Sequence, residues 1–399
     1  MIVAPQPAIQ RAALAEMARG ARSADRGERL AIARVADARS IAALRAEWEE
    51  LLCASAAPSF FLTWQWLYTW IETAGARLRP ELLTFRRRGR LVAIAPFVRS
   101  SRTGALREGS LGRAIESLCF PPSLRFMGDG RVGSDDLDLI VRAGEEQAVI
   151  AAVAGRLGDD PALLELRRLP RSSAIAEVAG KLVAQGWTLR RKPPEICPSI
   201  DLEGVTWDGY VDGLGRSHRQ NLRRRLRQLD QRFRVELQRV ERAEEIDGAL
   251  DVLVDLHHAR WDQRGGSDAF DAELEGFHRR LARRALARGW LRLFVLRLDG
   301  VPAAALYGFR YRDRFLFYQS GFDPALARHS VGLAMMAMTI RSAIEEGARA
   351  FDLLHGAERY KFHWAGATRT LEHFELHPPS RLALRRRLRD TVRSAGAPA

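Results

Sequence analysis

"FLFYQSGFDPALARHSVGLA", residues 315 to 334, is the stretch whose reading decides the fold. Residues 315–320 read as an aromatic-rich strand. The apolar spacing of "VGLAMMAMTIRSAIEEGA" then reads as a helix that begins near Ser330. Ser330 can cap that helix with its hydroxyl. Gly332 lacks a Cβ and lets a phosphate approach the backbone closely. Arg328 can pair with phosphate. The first amides of a helix have no intrahelical acceptor and favour anions. Strand, glycine and helix start together form a candidate anion cradle.

The elements around this stretch repeat a plan. Upstream come the strand "FRVELQRV", helices near 243–263 and 271–288, and the strands "WLRLFVLRL" and "PAAALYGFRY". Asp299–Gly300 and "RDR" at 312–314 supply the hairpin turns. Downstream lie the strand "RAFDLL", the segment "HGAERYKFHWAG" and the strand "TRTLEHFEL". The first half has the same rhythm of helix, hairpin, strand, helix and strand. There "ERLAIARV", "ELLTFRRRGRLVAIAPFVRS", "LRFMG", "DLDLIVR" and "ALLELRRL" read as strands. "DARSIAALRAEWEELLCAS", "FFLTWQWLYTWIETAG", "EEQAVIAAVAGRL" and "SSAIAEVAGKLVAQG" read as helices. "PPEICP" at 193–198 reads as a breaker between the halves. The expected division is a mobile leader at 1–28, α/β domains at 29–200 and 201–378, and a basic helix and tail at 379–399.

The 399 residues carry a formal charge of +14, a length that suits two or three domains. Such a charge predicts attraction to anions without choosing among nucleic acid, acidic lipid and phosphorylated small molecules. Lys181, Lys192 and Lys361 are the only lysines, so part of the arginine excess can reflect a GC-rich genome. Cys53, Cys119 and Cys197 are scattered, with neither a metal spacing nor a disulfide framework, and point to a reducing compartment. The N-terminal segment has no apolar h-region and no run of 18 apolar residues occurs, so the expected location is cytoplasmic.

"SHRQNLRRRLRQLDQRF", residues 217–233, is an amphipathic helix. Leu222, Leu226, Leu229 and Phe233 make its apolar stripe. Ser217 with Gln220 three residues on gives a capping-box start. Arg219, Arg223, Arg224, Arg225, Arg227 and Arg232 occupy the remaining arc. That arc suits an anionic substrate, a nucleic acid or plain solvent.

The order of the second half resembles the GNAT acyltransferase fold, and the whole chain then reads as tandem GNAT-like domains with mixed sheets flanked by helices. That fold cradles a pyrophosphate at the turn between its fourth strand and third helix. Its pattern there is Gln/Arg-x-x-Gly-x-Gly/Ala; this chain has "HSVGLA", with His329 in the leading place. The resemblance therefore implies an acyl-CoA site on Arg328, His329, Ser330, Val331, Gly332, Leu333 and Ala334, and no metal.

A closer resemblance is to the CelD-like group, the BcsL-type proteins linked to cellulose and other exopolysaccharide synthesis. These are relatives of the Fem aminoacyltransferases. "FYQSGFDPALARHSVGLAMM", "FDLLHGAERYKFHWAG", "HHARWDQRGG" with "RQNLRRRLRQLD", and "FMGDGRVGSDDLDLI" carry it, over roughly residues 30 to 378. It implies transfer of an acyl group to an amine or hydroxyl of a sugar or envelope precursor. Aminoacyl transfer from charged tRNA is the competing enzyme reading. A silent subunit of a polysaccharide-synthesis machine, in contact with an anionic membrane, is the third.

In the Fem relatives a lysine in a motif like "YKFHW" offsets charge at the reacting ester, which would make Lys361 an oxyanion stabiliser. An acceptor must also lose a proton to a base. Asp352, His355, His363 and His329 compete for that role, with Asp352 and His355 carried forward as catalytic candidates. His258, Trp261 and Arg264, with Tyr318, Arg223 and Arg227, are the substrate-binding candidates. His258 and Asp262 share a helix face but do not make a metal site. Trp64, Trp66 and Trp70 read as core rather than a sugar platform.

Overall fold

A computed structural model describes residues 29–73, 75–76, 78–100, 122–262 and 270–379. The leader at 1–28, the tail helix from 380, Cys119, Arg264 and the side chain of Trp261 lie outside that description.

Among the described residues thirteen strands form one sheet. The first half supplies β1 (Ala31–Val35), β2 (Arg79–Arg87), β3 (Arg90–Ser100), β4 (Ser123–Phe126), β5 (Ile140–Val141), β6 (Leu163–Pro170) and β7 (Thr188–Asp201). The second supplies β8 (Val235–Arg239), β9 (Leu291–Leu298), β10 (Val301–Tyr311), β11 (Arg314–Phe322), β12 (Ala350–Asp352) and β13 (Ala367–His377). The order is β1-β2-β3-β4-β6-β13-β7-β12-β11-β10-β9-β8, with β5 beside β3. Read from either edge, three antiparallel pairings lead to one parallel pairing, β4 with β6 or β12 with β11. The two series meet at the antiparallel pair β7–β13. This mixed α/β sheet flanked by helices is the fold class expected from the sequence.

Local chemistry explains the hairpins. Arg88 and Gly89, and Asp299 and Gly300, all have positive φ, as a two-residue turn matched to the strand twist requires. The segment 193–198 departs from expectation: it lies inside β7 instead of ending an element. The register explains how. Glu195 pairs with Leu371 and Lys192 with His373, so Pro193 and Pro194 together face Glu372. Two residues opposite one make a bulge, where the missing proline N–H leaves no ladder bond broken. The expected strand "DLDLIVR" shrinks to the two residues of β5.

The first expected helix breaks at Leu44 into Ala38–Ala43 and Arg45–Cys53. Thr63 caps the next, Trp64–Glu72, by accepting from the Trp66 amide. Trp64, Trp66 and Trp70 are buried, and the Trp66 indole donates to Ser134 Oγ at 2.8 Å. One apolar cluster joins first-half residues such as Trp66 to Phe277 and Phe309 of the second half. A second cluster packs the arginine helix against the helix Val331–Glu345 through Leu222, Leu229, Val331 and Met335. Leu226 and Phe233 pack on it half-buried. The arginine helix runs Arg216–Arg232 with Gly215 at its N-cap and no side-chain cap. Ser217 therefore lies inside the first turn, and the capping-box reading fails because the helix starts two residues earlier. No helix among the described residues is long and apolar enough to cross a membrane.

The helix Ile246–Asp262 lies directly on β11. A Cβ on Gly321 would stand 2.5 Å from the His257 nitrogen and 2.6 Å from the Leu256 carbonyl carbon. Gly321→Ala should therefore cost about 1–3 kcal/mol as overpacking. Gly276→Ala, in a helix with nothing within 4 Å of the added atom, should be neutral or stabilise by about 0.4–1 kcal/mol. Urea unfolding of both variants checks the pair. An unshifted midpoint for Gly321→Ala would mean that helix and strand are not in contact.

Candidate active site

The site begins where two strands part. β11 and β12 pair for three residues only, Arg314–Leu316 against Ala350–Asp352. The chain after β12 follows β7 instead: Leu353 N donates to Pro198 O and Gly356 N to Ile196 O. On the other side the register of β11 shifts at Tyr318 against Tyr307 and Gly308 of β10. The edge of β11 beyond Leu316 has no strand partner there among the described residues, and its backbone groups need acceptors and donors from elsewhere. The gap forms the floor of a cavity of about 930 Å³. Phe317–Phe322, Ser330–Leu333, Leu353–Gly356 and Glu358–Lys361 line it, together with Gly130, Arg131, Gly133 and Arg168 of the first half.

The helix start faces this cavity. Asp323 caps a short 3₁₀ turn, Pro324–His329, and Ser330 then adopts a left-handed conformation at φ 58° and ψ 40°. The expected serine cap is absent: the Ser330 hydroxyl makes no capping bond. Its carbonyl instead accepts from the amides of Leu333 and Ala334. The amides of Val331 and Gly332 come first in the helix and have no such acceptor. Gly332 also allows close packing, since a Cβ there would lie 3.3 Å from the Phe322 ring. Ser330, Val331, Gly332 and Leu333 line the cavity; Arg328, His329 and Ala334 do not. Arg328 Nε donates to His329 Nε2 at 3.0 Å on the exposed loop, and Ala334 is buried under the helix.

His355 enters the cavity wall after Leu354, a left-handed residue at φ 54°. Its Nδ1 lies 2.6 Å from Asp135 Oδ1, and its backbone N–H donates to Asp135 Oδ2 at 2.9 Å. Asp135 is fully buried, whereas the His355 side chain is 28% exposed. Burial alone would push the Asp135 carboxyl up. The His355 hydrogen bond, and the charges of His355, Arg369 and Arg168, outweigh it and hold the group below the usual carboxylate range. Gly133 provides clearance, because a Cβ there would stand 3.3 Å from His355 Cε1. Tyr318 donates its hydroxyl to Val132 O at 2.7 Å and so ties this first-half loop to β11.

Lys361 is buried beside His355. Its ammonium donates to His355 O at 2.7 Å, reaches Leu354 O at 3.5 Å and pairs with Glu358 at 3.0 Å. Three acceptors thus meet its three donors, which is not the uncommitted cation that an oxyanion role requires. Asp352 lies outside the cavity lining. Its Oδ2 accepts from Arg314 and Arg369, and its Oδ1 from the Leu354 amide. It is a junction between strands, and the physical reason against a base role is that it is buried away from the cavity, held by two arginines and an amide.

The remaining candidates scatter. His258 is half-buried on its helix and lines neither cavity. Its neighbour His257 is buried, with Nδ1 3.3 Å from Ser320 O, and burial pulls its imidazole down to about 4. Arg223 pairs with Asp212 at 2.6 Å, and Arg227 is exposed away from the cavity. A shallower groove of about 1010 Å³ adjoins the first. Arg216, Arg224, Asn221 and Phe362 line it, and His218, Leu333 and His363 line both. The arginine helix thus reaches the site through Arg216 and Arg224, not through Arg223 and Arg227. Burial and the neighbouring His363 lower the His218 pKa. Among the described residues no three His, Cys, Asp or Glu side chains are grouped for a metal ion.

Asp135, Arg168 and His218 escaped sequence reasoning. The only signal was a Gly/Asp-rich run, "MGDGRVGSDD", too long for a hairpin turn. Nothing in it shows a partner 220 residues away.

Residues 216–362 match the family model of the acetyltransferase (GNAT) domain. No curated protein matches the chain in sequence. The fold is similar to the crystal structure of FemX, with a TM-score of 0.58 at 9% identity over 86% of this chain and 97% of that one. It is similar also to a conserved protein of unknown function from Bacteroides thetaiotaomicron, with a TM-score of 0.50 at 12% identity over 83% of this chain and 97% of that one. The parted strands β11 and β12 and the helix start at Val331 lie inside the segment that matches the acetyltransferase (GNAT) domain, and the mixed sheet is that of a GNAT fold.

Proposed function

We propose that this protein transfers an acyl group from a donor held between β11 and β12 to an amine or hydroxyl acceptor. The observation that carries the reading is the parting of those strands over a cavity at a helix N-terminus. The backbone edge at Gln319–Gly321, which β12 leaves uncovered, suits an amide-bearing arm such as pantetheine. The amides of Val331 and Gly332 suit its phosphates. Arg216, Arg224 and Phe362 then meet the outer end of the donor in the adjoining groove. The acceptor enters past Gly130–Gly133, from the half that we assign to residues 29–200, and the donor sits in residues 201–378.

Acyl-CoA is the donor that the GNAT match supports. The resemblance to the CelD-like group extends this to a sugar or envelope-precursor acceptor in exopolysaccharide synthesis. A second reading, aminoacyl transfer from charged tRNA, is favoured by the likeness of the fold to FemX and by the cationic groove. Turnover with acetyl-CoA supports the first, and turnover only with charged tRNA the second. Tight binding to synthesis machinery without turnover would leave a silent subunit.

Calorimetry with coenzyme A tests the groove. Arg216→Gln/Arg224→Gln should weaken binding by about tenfold, as loss of charge-assisted bonds to phosphate does, and flatten its salt dependence. Arg223→Gln/Arg227→Gln should leave affinity within about twofold. Glutamine keeps helix propensity close to that of arginine, so neither pair should melt the helix. Equal affinities in all three proteins would return the whole run to solvent.

Lys361→Met separates two roles. It removes the donor from two carbonyls and Glu358, so it should cost about 1–3 kcal/mol in urea unfolding. Coenzyme A affinity should hold. A variant as stable as the wild type but slower in turnover would instead restore Lys361 to the oxyanion.

A further inference from the structure

We infer that His355 is the general base of the transfer and that Asp135, from the other half of the chain, is its positioning residue. The inference rests on the acyl-transfer reading and names the group that moves the proton.

Several independent restraints converge on one imidazole. The Asp135 carboxylate takes both the ring Nδ1 and the backbone N–H of His355, at 2.6 and 2.9 Å. Lys361 holds its carbonyl at 2.7 Å. Leu354, in a left-handed conformation that a non-glycine residue rarely adopts, turns the chain to deliver it. Gly133, itself at φ 61°, leaves the space that the ring occupies. The ring is partly exposed to the cavity, so a nitrogen left without a protein partner there is open to a ligand. Here Nε2 has no hydrogen-bond partner among the described residues, and the ring lines the cavity. A buried carboxylate on Nδ1 fixes that nitrogen as the protonated one and leaves Nε2 as the acceptor. The ring is thereby set in one tautomer, with its basic atom on the side of the substrate.

The step balances as follows. Nε2 takes the proton from the acceptor N–H or O–H as that atom bonds to the carbonyl carbon of the donor. The tetrahedral species collapses, and the carbon–sulfur bond of the thioester breaks. The imidazolium returns its proton to the thiolate, giving an amide or ester and a free thiol. Asp135 stays ionised throughout and offsets the transient charge on the ring. Arg168, whose Nε lies 3.1 Å from Glu195 and 4.0 Å from Asp135, keeps the carboxylate from being the only charge at that depth.

The test uses the full chain with acetyl-CoA, water and glucosamine as acceptor probes, and thiol release as the signal. His355→Gly and Asp135→Asn should each lower kcat by about 10²-fold or more, in the range of a lost base, with coenzyme A affinity by calorimetry unchanged. Imidazole added to His355→Gly should restore part of the rate. In His355→Gly/Asp135→Asn it should not, because the carboxylate that seats the ring is gone. A purely structural Asp135 would not control rescue. Because Asp135 is buried, unfolding of its variant is checked by the same calorimetry, and His355→Gln, at the partly exposed ring, stands independently of it. Full activity in folded His355→Gln or His355→Gly overturns the inference and leaves the acyl-transfer reading intact. Wild-type protein that binds coenzyme A without turning over any probe also overturns it. Failure of the wild type to bind coenzyme A removes the donor reading itself.

Discussion

The structure depends on the antiparallel pair β7–β13. Each strand is long enough to serve two neighbours. β13 gives Leu371–Leu376 to β6 and runs along β7 from Ala367 to His377. β7 gives Ser199–Asp201 to β12. Each half therefore completes its sheet with a strand that the other half also needs. The ladder bonds make the two halves one continuous sheet, with the cavity at β11 held against first-half residues. A side chain from residue 135 can then reach residue 355 without depending on a mobile interface.

The two halves share one plan and use it differently. In the first half β4 and β6 also pair in parallel over three residues and then part. That gap is filled from within. The Leu137 amide donates to Arg168 O, occupying the edge that lies open in the second half. Asp138 next to it accepts from the amides of Leu139, Ala174 and Ile175, and so pins the start of the helix Ala174–Ala184. Burial pushes its carboxyl up to about 6 even though these three N–H groups pull the other way. The loop that plugs the first gap continues to the cavity of the second half, which Gly130 and Gly133 line and where Asp135 holds His355.

Patterns with a local cause were legible in the sequence. The hairpin at Asp299–Gly300, the strand before Gly321 and the helix after Ser330 follow from turn chemistry and apolar period, and their order carries the resemblance to the GNAT fold. The contents of the site were legible only in part. His355 was among the candidates because it follows a strand end. Asp135 was not, since a pairing across 220 residues leaves no periodic trace. Lys361 attracted a catalytic reading through the resemblance of "YKFHW" to the Fem motif, yet a motif says nothing of the carbonyls that surround the ammonium. Pro193 and Pro194 read as a breaker because a proline lacks the N–H of a ladder. A bulge in the partner register removes that need, and no register is visible before the strands are paired.

The arginine excess also resolves into places. Arg369 bridges Asp136 and Asp352 at 2.7 and 3.0 Å, and Arg284 reaches Glu72 and Thr69 from the opposite half at 2.7 and 2.6 Å. Each of these contacts uses two separate guanidinium nitrogens on two acceptors, a geometry that the single ammonium of lysine does not reproduce. Asp136 shows the cost of the arrangement: burial pushes its carboxyl up to about 6, and Arg369 acts against that shift. Genomic bias toward arginine is therefore compatible with selection at these positions. Arg216, Arg224 and Arg359 are different, because they form no ion pair with the described residues and line the two cavities. Where a carboxylate neutralises an arginine, the charge serves the fold. Positive charge without a counter-ion along the path of a ligand is what an anionic donor would complete, and its position beside the Val331 helix start ties the arginine helix to the same substrate as the parted strands.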